Sequence, residues 1–251
     1  MVSIGLQQSL ALAPVHGRFC GSNAGHSCAR SVAIMCFSAT ASFSLAATTA
    51  VIGIAALRQI RHPGEILLAT VPLLFASQQA IEGALWLQLS GDSDGEQVAV
   101  LAFAFLLFAK VLWPALTPLA VILIEPDRRR RRVFWVIAAF GTVLSIYLLT
   151  GLLGESPKVA IRGHSIWYSS DVDPLTWRQI PYLACTSLVP LLSSHRLIRV
   201  LGVVVLVAFL VTAYAYSAAF ISVWCFFAAA NSTLIYFYFK RAALAVRLSP
   251  R

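Results

Sequence analysis

The sequence predicts an all-α protein, a polytopic bundle of seven transmembrane helices, and three observations carry that prediction. From Val200 to Phe239 forty residues pass without a charged side chain. If helical, that stretch is about 60 Å long, twice the hydrocarbon thickness of a bilayer, so it must cross twice. The composition is 59% hydrophobic and only 12% charged, which would leave a water-soluble domain unable to cover its apolar surface. The formal net charge of +9 is gathered in short basic clusters between apolar runs. Clusters in such places hold loops in the cytoplasm, and the reading as a nucleic-acid binder is set aside.

Taken in order, the spans are expected at Ala41 to Leu57, Ile66 to Leu89, Val98 to Ile124, Val133 to Leu153, Trp177 to Leu192, Val200 to Ala219 and Phe220 to Phe239. The fifth is the shortest and carries Pro181 and Pro190. The sixth and seventh have no Gly or Pro between them, so length alone places their boundary. Residues 1–34 read as an extension outside the fold, without a signal-peptide pattern, because Gln7, Gln8, Ser9 and Pro14 interrupt their apolar stretch and the first basic residue is Arg18. Translation from Met35 is the expectation. Residues 35–240 then form the membrane domain and 241–251 a basic cytoplasmic tail.

Basic residues orient the bundle. Alternate loops place thirteen of the nineteen Lys and Arg on one side, including Arg128 to Arg132 and the C-terminal cluster, five on the other, and Lys110 within a span. The excess predicts a cytoplasmic C-terminus and, with seven crossings, an N-terminus outside. The loops Ser90 to Gln97 and Gly154 to Thr176 then face outward. Arg128 to Arg132 is a topology signal first and a contact for anionic lipid second. The expected location is the inner membrane.

Met35 opens Met-Cys-Phe-Ser-Ala-Thr-Ala-Ser-Phe, running to Phe43. Later blocks are Pro72 to Trp86, Trp113-Pro114 with Pro118, Leu192-Ser-Ser-His-Arg196 and Ser222 to Ala228. Together, from Met35 to about Lys240, these resemble a bacterial family of small multi-pass membrane proteins of unknown function. The resemblance implies architecture and carries no catalytic residue.

Glu82 is the sharpest residue on physical grounds, the one acid inside an expected span. An ionised carboxylate there costs about 2.5 to 3.5 kcal/mol on insertion scales, so it should face the bundle interior, be paired or be protonated. Gln78, Glu82 and Trp86 recur every four residues and share a helix face, with Gln79 beside them. This polar stripe is either a packing knot or a substrate, proton or ion site. Lys110 is its natural counter-charge, at a depth differing by roughly 7 to 8 Å, which a Lys stem can largely close.

Chelating and nucleophilic residue types also collect toward the outer side: Cys36, His164, Tyr168 and Cys225. No Cys-x-x-Cys, His-Glu-x-x-His or paired-aspartate spacing joins them, so Cys36, His164 and Cys225 are weak metal-ligand candidates and no cofactor is identified. Cys36 and Cys225 would alternatively form a disulfide in an oxidising compartment. Ser193, Ser194 and His195 read as a headgroup or helix-end contact rather than a catalytic set. Ser222, Cys225, Ala229 and Ser232 form a small-residue stripe for close helix packing.

Three functional classes follow. A transporter or sensor of a small molecule or ion would use Glu82 in an outward-facing polar pocket with Gln78, Gln79, Trp86, Lys110, His164 and Tyr168. A membrane hydrolase would need Cys36, His164, Glu82 and Cys225 around a metal or acyl group, and an assembly protein would need none of them exposed. The first is favoured because an intramembrane charge is present and catalytic spacing is not.

Overall fold

The computed structural model describes residues 38–91, 94–154, 157–162, 165–169, 179–215 and 220–248. Three helix starts follow from a local side-chain acceptor. Helix α1 (Ala39–Leu57) begins where the Ser38 hydroxyl oxygen accepts from the Ala41 N–H at 3.2 Å, satisfying one of the amides a helix start leaves open. A 3-10 turn, Pro63–Glu65, leads into α2 (Ile66–Ser90). Asp94 caps α3 (Gly95–Leu106), which passes through a π-helical turn, Leu107–Leu112, into α4 (Trp113–Ile124). Asp127 accepts from the N–H groups of Arg129 and Arg130 at 2.7 and 3.2 Å and so starts α5 (Arg128–Gly154).

An antiparallel hairpin follows, β1 (Val159–Arg162) and β2 (Ser165–Tyr168), with Val159 opposite Tyr168. It rests on the bundle through Ile166 and Tyr168, both fully buried, the Tyr168 ring stacking on Phe105 of α3 at 5.1 Å. On its other edge Arg162 lies 3.9 Å over the Trp167 ring.

The chain continues with α6 (Ile180–Leu183), a π turn Ala184–Leu188 and α7 (Val189–Leu191), then α8 (Arg196–Ala215), α9 (Phe220–Asn231) and α10 (Thr233–Leu248). Among the described residues six helical stretches are long and apolar enough to cross a membrane: Ala39–Leu57, Pro63–Ser90, Gly95–Ile124, Arg128–Gly154, Arg196–Ala215 and Phe220–Ala242. The fifth expected span, Trp177 to Leu192, is helical over Ile180–Leu191 in the described residues, short of the roughly 20 residues a crossing uses. The boundary that length alone placed before Phe220 lies at residues 216–219, outside the described residues, while α8 starts four residues earlier than expected, at Arg196.

Both π turns share one local feature. Each precedes a proline, Pro114 or Pro190, whose ring fills the space of a preceding carbonyl and whose nitrogen has no hydrogen to donate. Widening the helix by one residue relieves the clash and leaves carbonyls open to other donors. The same proline geometry admits close neighbours. A Cβ at Gly141 of α5 would collide with the Pro114 carbonyl, and one at Gly202 of α8 would lie 2.5 Å from the Leu191 nitrogen. Only glycine allows either backbone approach. Away from these contacts α5 turns Val136, Val143 and Tyr147 outward, an apolar face suited to lipid rather than water.

Candidate functional site

The polar stripe of α2 lies inside the bundle. Gln78 and Gln79 are fully buried and Glu82 is 1% exposed, with Trp86 buried one turn further on. Three helices compose the site. The Ser222 hydroxyl, in the first turn of α9, donates to Glu82 Oε1, and Gln79 Nε2 donates to Oε2 at 3.2 Å. From α4 the Trp113 indole N–H donates to Gln78 Oε1 at 3.1 Å, its ring stacked on Phe75 at 4.1 Å. Among the described residues Gln78 Nε2 and Gln79 Oε1 are buried without a hydrogen-bond partner. Such atoms are expensive to leave dry, so they mark places where a water, a proton or an amide rotation would be accommodated.

Lys110 sits in the π turn between α3 and α4 and is half-buried; the donors on Glu82 among the described residues are the neutral Ser222 and Gln79. Tyr168 is packed into the Phe105 contact of the hairpin. Cys225 is buried one turn beyond Ser222 on α9. Cys36 and His164 fall outside the described residues, and with them the metal and disulfide readings. Among the described residues no three His, Cys, Asp or Glu side chains come together as metal ligands.

A second polar layer closes the other end of the bundle. Glu65 is fully buried; Arg61 donates to it through its backbone N–H at 2.8 Å and through its guanidinium. Glu125, 3% exposed, accepts from the Ser193 hydroxyl at 3.0 Å, the Ser194 N–H at 2.9 Å, the Ser194 hydroxyl and the Asp127 N–H at 3.3 Å. Burial pushes the Glu125 carboxyl up, but these hydrogen bonds, those of Ser194 foremost, outweigh it and hold the group below the usual carboxylate range. His195 donates to the Ile124 carbonyl at 2.8 Å and meets the Tyr238 ring edge-on at 5.1 Å.

Between the two layers lies a cavity of about 80 Å³. Four chain segments pass through all three levels in register. Helix α2 runs from Glu65 past Leu68, Val71 and Phe75 to Gln78 and Glu82. Helix α4 runs from Trp113 past Thr117 and Val121 toward Glu125. The α6–α7 segment passes Tyr182 and Thr186 before reaching Ser193 and His195, and α9 with α10 leads from Ser222 past Trp224 and Ser232 to Tyr238. The two carboxylate layers are roughly 25 Å apart along α2 at helical rise.

Ser222 reads in the sequence as one member of a packing stripe, Trp113 as part of a Trp-Pro pair, and Glu125 as a loop residue just past a span. Each draws its role from a partner on another helix, and the only local signal was a polar atom at or near membrane depth. Among known families, one described as a family of unknown function, DUF6629, matches residues 35–249. No curated protein and no solved structure matches the chain.

Proposed function

The chain belongs to this family of unknown function, and we propose that it is a multi-pass membrane protein that transports or senses a small molecule, with Glu82 as its proton-binding group. In this reading it crosses the inner membrane seven times, the C-terminus faces the cytoplasm, and Arg128 to Arg132 contact anionic lipid headgroups. The observation that carries the proposal is a carboxyl group 1% exposed and held between α2 and α9 by two neutral donors. Neutral donors lower the cost of the ionised form without cancelling its charge, so uptake of a proton in a low-dielectric bundle is the natural alternative.

Both protonation states have a hydrogen-bond arrangement available. Ionised Glu82 accepts from Ser222 and from Gln79 Nε2. Protonated Glu82 needs an acceptor instead, and a rotated Gln79 amide presents Oε1, the atom now without a partner. The proton thereby rearranges the α2 face beside the Ser222 bond that ties α2 to α9, the kind of two-state contact a transporter or sensor uses.

Infrared difference spectra of the reconstituted protein between acidic and alkaline buffer test this directly. A protonated-carboxyl band that appears on acidification and vanishes in a folded Glu82→Gln variant is the expected result. An identical band in Glu82→Gln, or no such band in the wild type, would remove Glu82 from proton handling and leave it a packing group.

A further inference from the structure

We propose that the cavity between the two polar layers binds a small, uncharged, apolar molecule, and that its occupancy is felt at Glu82 through Trp113. The binding stands on the cavity alone; the coupling rests on the proton-site reading above. No charged side chain lines the cavity, and the rings of Phe75, Trp113, Tyr182 and Trp224 supply much of its wall. The hydroxyls that reach it are largely spent on backbone: Thr186 donates to the Tyr182 carbonyl at 3.0 Å and Ser232 to the Ala229 carbonyl at 2.6 Å. An ion, a sugar or an amino acid would surrender its hydration here with nothing charged to replace it. An apolar occupant gives up little by entering, because apolar walls offer dispersion contacts that water cannot use.

Size narrows the class further. At about 80 Å³ the space is about half that of an engineered cavity of about 150 Å³ that admits benzene, so the occupant has only a few heavy atoms or is the apolar end of a longer molecule. The Trp224 indole N–H is buried without a partner among the described residues, and a single acceptor atom on the occupant would suit it. Coupling follows from one ring that both lines the cavity and bonds Gln78. Trp113 lines the cavity while its N–H holds Gln78 Oε1 at 3.1 Å, next to Gln79 and Glu82. A molecule that shifts the indole shifts Gln78, and with it the adjoining residue Gln79, whose amide bonds Glu82.

Xenon NMR of the full chain in lipid nanodiscs tests both parts, with empty nanodiscs as the partition control. The wild type is expected to show a saturable, protein-dependent xenon signal. Ala228→Leu, which adds bulk at the wall, should weaken it roughly tenfold. Leu201→Ala, which removes bulk, should keep xenon and admit benzene as well. Loss in one variant with retention and benzene binding in the other, their melting checked in parallel, is not produced by misfolding. A wild-type signal no larger than that of empty nanodiscs, or variants indistinguishable from wild type, would overturn the cavity. The wild-type affinity should change with pH and that of Glu82→Gln should not. An equal pH response in both would overturn the coupling while leaving the cavity in place.

Discussion

The Tyr182 hydroxyl donates to the Ala109 carbonyl at 2.5 Å, joining α6 to the π turn that interrupts the third apolar stretch. The bond has a specific origin. In π geometry the Ala109 carbonyl would look to the N–H of the fifth residue on, and that residue is Pro114, which has none. Tyr182, buried beside the cavity, supplies the missing donor from a helix 73 residues away.

Tyr182→Phe is therefore expected to destabilise the protein by about 1 to 3 kcal/mol, because it strands a buried carbonyl rather than merely losing a hydroxyl. Pro114→Ala returns a backbone donor to the same turn. In that background Tyr182→Phe should cost measurably less, and a double-mutant cycle on thermal or denaturant unfolding in micelles reads the difference. Additive effects would mean that Tyr182 and Pro114 act independently.

At Glu82 the informative contrast is between two replacements. Glu82→Gln keeps the shape and can still accept from Ser222, so folding should be close to wild type. Glu82→Leu leaves the Ser222 hydroxyl and the Gln79 amide without their acceptor and should lower stability by about 1 to 3 kcal/mol more than Gln. Ser222→Ala should destabilise in the same direction at alkaline pH, where the ionised carboxylate needs donors. Melting of the three variants across pH settles the order.

Glu125 should make the protein acid-sensitive. Its carboxyl is held below the usual range in the fold, so its contribution is fully present above the ordinary carboxylate range and fades as pH falls through its lowered value. Glu125→Gln should flatten that acid limb of the stability profile. Ser194→Ala, which removes the hydroxyl donor but not the charge, should shift the limb toward neutral pH. Unchanged acid limbs in both variants would show that Glu125 does not govern them.

Topology has its own test. With thirteen basic residues expected on one side and five on the other, a reporter fused after Arg251 should lie in the cytoplasm and one inserted at Ser93 outside. Protease protection or reporter activity gives the answer, and the stretch Ile180–Leu191 is where a miscounted crossing would show first.

Local chemistry determined much of this protein before any contact was known. Charge-free runs of spanning length specify apolar helices, because a backbone in hydrocarbon must satisfy its own polar groups; the periodicity of Gln78, Glu82 and Trp86 specifies one shared face. That face was readable without knowing what it meets. What meets it was decided by tertiary structure: Ser222 reaches Glu82 across 140 residues of chain, Ser193 and Ser194 gather on Glu125 from the far end of α7, and the cavity exists only where five helical segments fail to fill the space between them. The α6–α7 segment shows the limit most plainly, since its two prolines advertise a break but not the π turn, nor the Tyr182 bond that the break makes useful. The physical reason is one of range. Propensity, periodicity and hydropathy act over a few turns of helix, whereas hydrogen-bond partners and voids belong to the packing of segments whose relative rotation no single segment encodes.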